Sequence, residues 1–174
     1  MTNKGIITKK YNVGIVGSGA MAKRMIKALK TMEENISVTA LASYNEAKAA
    51  SIGKKYGINK IYSSYEEMAA DKEIDIVYVA TVNSTHRSVI DLFLNSEKHV
   101  LCEKPMSLSV EDSEYLYNLA GEKKRFLGEG LWILALPYVR KLKELLAKKV
   151  IGDIQYVSMN IGYGMRKKER VTSP

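Results

Sequence analysis

The sequence contains very little cysteine, histidine and proline. Its 174 residues include one cysteine (Cys102), two histidines (His86 and His99) and three prolines. A single cysteine cannot form an internal disulfide bond, so the composition excludes a disulfide-stapled secreted fold. It also cannot supply the paired cysteines of a zinc module, and we therefore expect no metal site.

Long apolar segments are missing as well. The longest apolar stretches, residues 74–82 and 128–136, are well short of the roughly 20 residues that a transmembrane helix needs. Residues 1–10 lack an apolar core of signal-peptide length. We therefore expect a cytoplasmic protein without a membrane partner.

Acidic residues are outnumbered, mainly at one end of the chain. The sequence has 27 Lys and Arg against 19 Asp and Glu, a net charge of +8. Residues 140–174 hold nine basic and three acidic residues, which is +6 of that total. Aromatic residues do not interleave with the basic ones, so a solvated helix face and tail is favoured over a nucleic-acid interface. Binding of nucleic acid through this basic end remains the less favoured alternative.

Short β-branched runs alternate with amphipathic segments along most of the chain, a pattern typical of a parallel sheet wound with helices. The strand runs are apolar on consecutive residues, which predicts helices on both faces of the sheet. Predicted strands are residues 11–16, 37–42, 61–62, 74–80, 99–102 and 125–129, with a later one at 154–163. Predicted helices are residues 20–32, 46–56, one after Ser64, one from Ser84 or Thr85 to Asn95, one from Ser109 to Glu122, and 135–149.

A glycine-rich turn follows the first predicted strand. It reads Gly-x-Gly-x-x-Ala, with Gly17, Gly19 and Ala22 at the fixed positions and Ala20 opening the helix. Gly17 permits the tight turn, Gly19 lets the backbone approach a pyrophosphate, and Ala22 lets the helix pack on the strand. The free amides of a helix N-terminus favour an anion. The motif predicts a dinucleotide site; a methyl-donor nucleotide or a purely structural turn are the alternatives.

The turn after the second strand lacks an acidic residue. It reads Ser43, Tyr44, Asn45, whereas an acid in this turn would bind the free adenosine ribose of NAD. An uncharged turn tolerates the additional phosphate of NADP, with Ser43 and Asn45 as hydrogen-bonding groups and Tyr44 lying on the adenine. The sequence therefore leans weakly towards NADP. Asn45 also fits the role of a helix cap.

Polar residues follow the fourth and fifth strands. Residues 81–86 read Thr-Val-Asn-Ser-Thr-His, and Glu103, Lys104 and Pro105 follow Cys102. Ligands of open parallel sheets bind at the carboxyl ends of the strands, so these groups are candidates for a site. A partly desolvated Lys104 near a nicotinamide would exchange a proton with a substrate hydroxyl. From the residues alone, an ordinary surface lysine is an equally open interpretation.

Three segments together resemble the Gfo/Idh/MocA family of NAD(P)-dependent oxidoreductases, in particular its dihydrodiol dehydrogenase-like branch. They are residues 13–19, residues 80–83 with His86, and residues 98–105, which end in Glu-Lys-Pro. The resemblance covers about residues 10–163. It implies that Glu103 contacts the cofactor near its ribose and nicotinamide, that Lys104 is catalytic, and that the Lys104-Pro105 bond is cis.

The motifs and the resemblance together define one set of expected site residues. Lys104 is the expected catalytic residue. The expected cofactor-binding residues are Gly17, Gly19, Ala20, Met21, Ala22, Ser43, Tyr44, Asn45, Thr81, Val82, Asn83, His86, Glu103 and Lys104. The chain departs from the branch at Leu134, where relatives often have an arginine.

We expect an α/β fold, with a doubly wound parallel (Rossmann) sheet in residues 1–130. Residues 131–174 are expected to begin a truncated second α/β domain for substrate and oligomer contacts. The expected function is NAD(P)-dependent hydride transfer to or from a sugar, polyol or related small molecule, by a protein that is a homo-oligomer when full length. This chain would then be mainly its cofactor-binding part. The alternative is a dinucleotide-binding module or regulator without turnover.

Overall fold

The computed structural model describes residues 9–160 and 162. Contacts divide the chain into two units, Met1–Leu131 and Trp132–Pro174. The first unit contains six strands and five helices within its described residues. The strands are β1 (Tyr11–Val16), β2 (Ile36–Ala42), β3 (Lys60–Tyr62), β4 (Ile76–Val79), β5 (His99–Cys102) and β6 (Leu127–Glu129). The helices are α1 (Ala20–Leu29), α2 (Glu46–Tyr56), α3 (Tyr65–Ala70), α4 (His86–Asn95) and α5 (Val110–Glu122).

The six strands form one parallel sheet in the order β3-β2-β1-β4-β5-β6. The direction of strand addition reverses between β1 and β4. Strands β2 and β3 are added on one side of β1, and β4, β5 and β6 are added on the other side. This reversal is the topological switch point of a doubly wound sheet. The predicted fold class is confirmed.

Both faces of the sheet carry an apolar layer. On one face, strand residues such as Val77 and Val79 pack with α3, α4 and α5. On the other face, Ile15 and Tyr78 pack with α1 and α2. Neighbouring residues of β4 thus face opposite layers, which explains why the strand is apolar at every position.

Three helices begin with a side-chain cap. The side chains of Asn45, Ser64 and Ser109 accept hydrogen bonds from the backbone amides of Lys48, Glu67 and Asp112, at the starts of α2, α3 and α5. These bonds satisfy amides that the helix itself leaves without partners.

An ion-pair cluster lies where the chain enters β3 and β4. Lys60 Nζ donates to Asp71 at 2.7 Å and to Glu73 at 2.6 Å, and Tyr62 Oη donates to Asp71 at 2.7 Å. The backbone amide of Glu73 adds a third bond to the Asp71 carboxylate. This cluster ties the end of α3 to β3.

Some predicted elements are shorter in the structure. The helix predicted over residues 20–32 ends at Leu29 and continues as a 3-10 turn, Lys30–Met32. The strand predicted over residues 74–80 is β4 alone, because Ile74 and Asp75 lie before the paired region and Ala80 turns into the following loop. These differences affect element ends, where the ladder of backbone bonds stops.

The second unit contains a 3-10 turn, Trp132–Ala135, and one helix, α6 (Pro137–Ala147), inside the predicted range 135–149. The strand predicted over residues 154–163 is wrong for the part that the structure describes: residues 154–160 are exposed and belong to no sheet. A strand needs a neighbour to bond with, and the described residues provide none there. Residues 161 and 163 lie outside the described part.

No helix in the described ranges is both long and apolar enough to cross a bilayer.

Candidate functional site

The carboxyl ends of the central strands form one straight row across the sheet. Val16 pairs with Ala42 on one side and with Val79 on the other. Val79 pairs with Cys102, and Cys102 with Glu129. The loops that carry the expected site residues therefore begin side by side along one edge.

The first residue after β1, β4, β5 and β6 remains bonded to the sheet. The amides of Gly17, Ala80, Glu103 and Gly130 donate to carbonyls of the neighbouring strands at 2.7 to 2.9 Å. Each loop is thus fixed at its origin by a backbone bond, and the positions of the first side chains follow from the sheet.

The two glycines of the turn after β1 serve different purposes. Gly17 has φ +107°, and a Cβ there would lie 2.4 Å from the carbonyl oxygen of Ala80. Only glycine fits such a position, because both the dihedral angle and the contact exclude a side chain. A Cβ on Gly19 would meet no atom of the described chain within 4 Å. The absence of a side chain at Gly19 therefore leaves open space in front of α1.

The N-terminus of α1 lacks the capping groups that begin α2, α3 and α5. Helices α2, α3 and α5 begin with a side-chain cap and acidic residues in their first turn. Within the described residues, α1 has neither, and α4 also lacks a side-chain cap bond. Both helices start beside the switch point between β1 and β4. The free amides of α1 and the space at Gly19 fit a bound anion such as the pyrophosphate of a dinucleotide.

The three expected site residues at the start of α1 differ in how far they are buried. Ala20 is exposed and Met21 is half-buried at the start of α1, next to the open space. Ala22 is completely buried, so its small side chain allows close packing of α1 on the sheet.

The turn after β2 lies beside the glycine turn. Ser43 is buried, and its hydroxyl donates to the hydroxyl of Ser18 at 2.9 Å while accepting from the amide of Asn45. Tyr44 is 69% exposed and lies against the ring of Tyr65, with 4.5 Å between the ring centroids. The turn thus presents an aromatic face and hydroxyl groups, as the sequence predicts. Ser18 was not among the predicted residues.

The loop after β4 is stiffened by threonine hydroxyls. Thr85 Oγ1 lies 2.8 Å from Thr81 Oγ1 and 2.9 Å from the carbonyl oxygen of Val82. The Thr85 hydroxyl is therefore directed back into the loop and does not cap α4. Val82 and Asn83 are exposed, so Asn83 keeps a polar side chain available at the edge.

His86 occupies a different position from the one expected of a cofactor contact. Its side chain is completely buried. Nδ1 lies 2.7 Å from the carbonyl oxygen of Pro105, and Nε2 lies 3.4 Å from that of Thr81. A fully buried ring has no exposed surface to offer a ligand, so its position gives no support to the prediction that His86 contacts the cofactor. Its neighbours are the two loops of the site.

Glu103 is held from beneath by a tyrosine of β4. Glu103 is 8% exposed, and Tyr78 Oη donates to its Oε1. Burial, followed by the hydrogen bond to Glu103, raises the pKa of Tyr78 far above its usual range. Tyr78 therefore stays protonated and donates to the carboxylate at all working pH values. The carboxylate orientation is fixed by a buried donor.

Lys104 is exposed at the tip of the same loop, and its peptide bond to Pro105 is cis. Its backbone amide donates to Glu103 Oε2 at 3.3 Å. The side chain extends from a backbone that is bonded on both sides, since the next amide, that of Met106, donates to Glu129 Oε1 at 2.8 Å.

Cys102 belongs to the core and not to the chemistry of the site. Its side chain is completely buried, and burial, with the nearby carboxylates of Glu103 and Glu129, raises its pKa to about 12. The thiol is therefore protonated at neutral pH and is a poor nucleophile.

Two supporting residues were missed in the sequence, although each left a signal. Tyr78 is the one polar side chain in the apolar run Ile76–Val79, and a buried phenol requires a hydrogen-bond partner. Glu129 ends β6, so its carboxylate lies on the same edge as Glu103. Both residues can be assigned to the site only when the strand order is known.

Comparison with known proteins gives the family. Residues 11–131 match the model of GFO_IDH_MocA, described as an oxidoreductase family with an NAD-binding Rossmann fold. The chain belongs to this family. The expected resemblance is thereby confirmed.

Similar proteins carry dehydrogenase and reductase names. A trans-1,2-dihydrobenzene-1,2-diol dehydrogenase from Xenopus tropicalis is 32% identical over 158 residues, which is 90% of this chain and 48% of that protein. A second, from Danio rerio, is 34% identical over 150 residues, 86% of this chain and 45% of that protein. The chain thus spans about half the length of the curated relatives that it matches.

Solved structures agree with the fold. Scyllo-inositol dehydrogenase from Lactobacillus casei, with bound NAD(H) and scyllo-inositol, matches with a TM-score of 0.77 and 25% identity, over 83% of this chain and 43% of that one. A mutant 3-ketoreductase from Actinomadura kijaniata, with TDP-benzene and NADP, matches with a TM-score of 0.77 and 30% identity, over 84% of this chain and 46% of that one.

Proposed function

We propose that the protein is an NAD(P)-dependent dehydrogenase or reductase that transfers hydride between a nicotinamide and a hydroxyl or carbonyl group of a small polyol, sugar or related molecule. The observation that carries this proposal is the single edge at which the open N-terminus of α1 and the loop of Glu103 and Lys104 begin in one row. Family membership supports the same chemistry.

The dinucleotide would bind along this edge through backbone and short side chains. The first turn of α1 receives the pyrophosphate in the space at Gly19. Ser43, Tyr44 and Asn45 receive the adenosine end, because their turn follows β2, which lies beside β1. Thr81, Val82 and Asn83 lie towards the centre of the edge.

Lys104 would exchange the proton that accompanies hydride transfer. The nicotinamide supplies or accepts the hydride when it is bound. In the oxidative direction the hydroxyl proton would pass to Lys104 Nζ, and in the reductive direction Nζ would return a proton to the developing alkoxide. Tyr78 keeps Glu103 in a fixed orientation beside this lysine.

The turn after β2 favours NADP over NAD. Its polar groups are hydroxyls and an amide, and it has no carboxylate to repel the additional phosphate. The hydrogen-bonded pair of buried Ser43 and half-buried Ser18 places hydroxyl oxygens close to the turn. We therefore expect NADPH to bind at least as tightly as NADH.

The substrate class follows from the relatives. Their names specify a diol of dihydrobenzene and scyllo-inositol, and both carry hydroxyl groups on a six-membered carbon ring. Cyclic diols and polyols are thus the first compounds to test. The second unit is proposed to belong to a substrate and oligomer domain, and the full-length protein to a homo-oligomer.

The test combines binding with turnover in the full-length protein. Calorimetric titration with NADPH and NADH measures the two dissociation constants, and a panel of cyclic diols and polyols measures turnover. A tenfold preference for NADH, about 1.4 kcal/mol, would contradict the proposed lean to NADP. Tight dinucleotide binding without turnover on any substrate would favour the non-catalytic module instead.

A further inference from the structure

We propose that His86 is a positioning residue for Lys104: its ring holds the Pro105 carbonyl against the loop that follows β4, and this sets where the lysine side chain begins. The inference rests on the proposed function, because it assigns a task within the proposed catalytic site. It concerns a histidine whose ring is completely buried.

The burial and contacts of His86 carry the argument. The ring is 0% exposed at the first position of α4. Nδ1 donates its proton to Pro105 O at 2.7 Å, a short bond for N–H to O, while Nε2 faces Thr81 O at 3.4 Å. The Nδ1 bond to Pro105 offsets part of the cost of burying this polar ring.

The bond to Pro105 acts at the point where the loop is otherwise least restrained. Glu103 is fixed by the backbone of β4 and by Tyr78, and Met106 is fixed by Glu129. Lys104 and Pro105 lie between these anchors, and both are exposed. His86 supplies the bond on the Pro105 carbonyl. It thereby limits movement of the lysine backbone in the interval between the two anchors.

This arrangement predicts an effect on rate more than on binding. A displaced lysine backbone shifts the ammonium from the reacting hydroxyl, and a misplacement of about 1 Å costs on the order of 100-fold in rate. The proposed pyrophosphate site at Gly19 lies in the loop after β1, and the ring contacts of His86 are to Pro105 and Thr81 instead. Dinucleotide affinity should therefore stay close to that of the wild type.

The experiment compares three substitutions in the full-length protein. All three substitutions are at His86. Asn places an amide nitrogen near the position of Nδ1, Gln places one near the position of Nε2, and Leu has no donor. We expect H86L and H86Q to lower kcat by about 10- to 100-fold with the dinucleotide Kd changed less than about threefold. H86N should retain most of the wild-type kcat. His99→Asn, at the amino end of β5, is the matched control and should leave kcat unchanged.

Equal kcat in the Asn, Gln and wild-type proteins would overturn the proposal, as would equal losses in the Asn and Gln variants. If H86L does not fold, the comparison of Asn with Gln still decides, because both are polar. Thermal midpoints measured alongside separate a general loss of stability from a displaced lysine. A wild-type protein that neither binds dinucleotide nor turns over substrate would instead contradict the proposed function.

Discussion

Lys104 is the residue on which the proposed chemistry depends most directly. Its side chain is exposed at the site edge, while its backbone is held by Glu103 and its neighbours. In the full-length enzyme, Lys104→Ala should reduce kcat by roughly 10²- to 10⁴-fold and leave cofactor affinity nearly unchanged, because an acid-base group acts mainly in the transition state. Steady-state kinetics with a substrate that the wild type turns over, together with cofactor titration, measures both quantities.

Lys104→Arg is the control that separates proton transfer from charge. Arginine keeps the positive charge but does not release a proton near neutral pH. The Arg variant should therefore rescue little of the lost turnover. Full activity in either variant would return Lys104 to the role of an ordinary surface lysine.

The glycines of the first turn allow a paired test of binding against folding. Gly19→Leu meets no atom of the described chain near its Cβ, so it should change the free energy of unfolding by about 1 kcal/mol or less, yet block the pyrophosphate and abolish dinucleotide binding. Gly17→Ala combines a positive φ with an overlap at Ala80, and should destabilise the fold by about 2 kcal/mol or more. Urea unfolding and calorimetric titration of both variants check this. Normal dinucleotide binding by the Gly19 variant would place the pyrophosphate elsewhere.

At the scale of the elements, the cap of α5 gives a prediction about stability alone. The Ser109 hydroxyl accepts from the Asp112 amide at 3.1 Å. Ser109→Ala should lower the free energy of unfolding by about 1 kcal/mol, and Ser109→Asn, which keeps an acceptor, should restore most of it. Chemical denaturation measures the change. A loss of the same size in both variants would show that the hydroxyl contributes through its other surroundings and not as a cap.

The elements that the sequence predicts best are those with local causes. Asn45 and the glycine after Tyr56 define α2 at both ends, and its predicted bounds agree with the structure. Residues 11–16 and 99–102 form the predicted strands because each is a short apolar run with a turn after it. Residues 154–160 show the limit: alternation of apolar residues is present there, but a strand also requires a partner, which a local pattern cannot supply.

The sequence predicts the part of the site that lies in the loops directly after the strands. The glycine turn and the residues Glu103 and Lys104 could be placed on one edge from the alternation of elements. The burial of His86 and the bonds from Tyr78 and Glu129 could not, because they depend on which strands are neighbours and on side-chain direction. Such contacts between residues far apart in the chain have no local signature.

For the whole molecule, the ion-pair cluster around Asp71 predicts sensitivity to acid. Burial alone would raise the pKa of Asp71, but bonds from Lys60, the Glu73 amide and Tyr62 outweigh it and lower the pKa to about 2. A carboxylate with a lowered pKa stabilises the fold above its unfolded pKa of about 4, and this contribution is lost as the pH falls towards 2. We expect a loss on the order of 1 kcal/mol, moderated because Lys60 is partly open to solvent.

Asp71→Asn tests this assignment. The variant should be less stable than the wild type at pH 7, and the difference should shrink between pH 4 and pH 2, because the wild-type carboxylate becomes neutral over that range. Urea midpoints at several pH values measure it. A constant difference across this range would show that the charge of Asp71 contributes little.

The uncapped start of α1 has a consequence for how much folded protein a cell contains. Helices α2, α3 and α5 cap their first turns with their own side chains, whereas α1 has no side-chain cap and its first amides are available to a ligand. A ligand that binds only the folded chain adds about 2.7 kcal/mol at a concentration one hundred times its Kd. A cell rich in dinucleotide would then protect the chain from proteolysis, and starvation for the nucleotide would shorten its lifetime before any substrate became limiting.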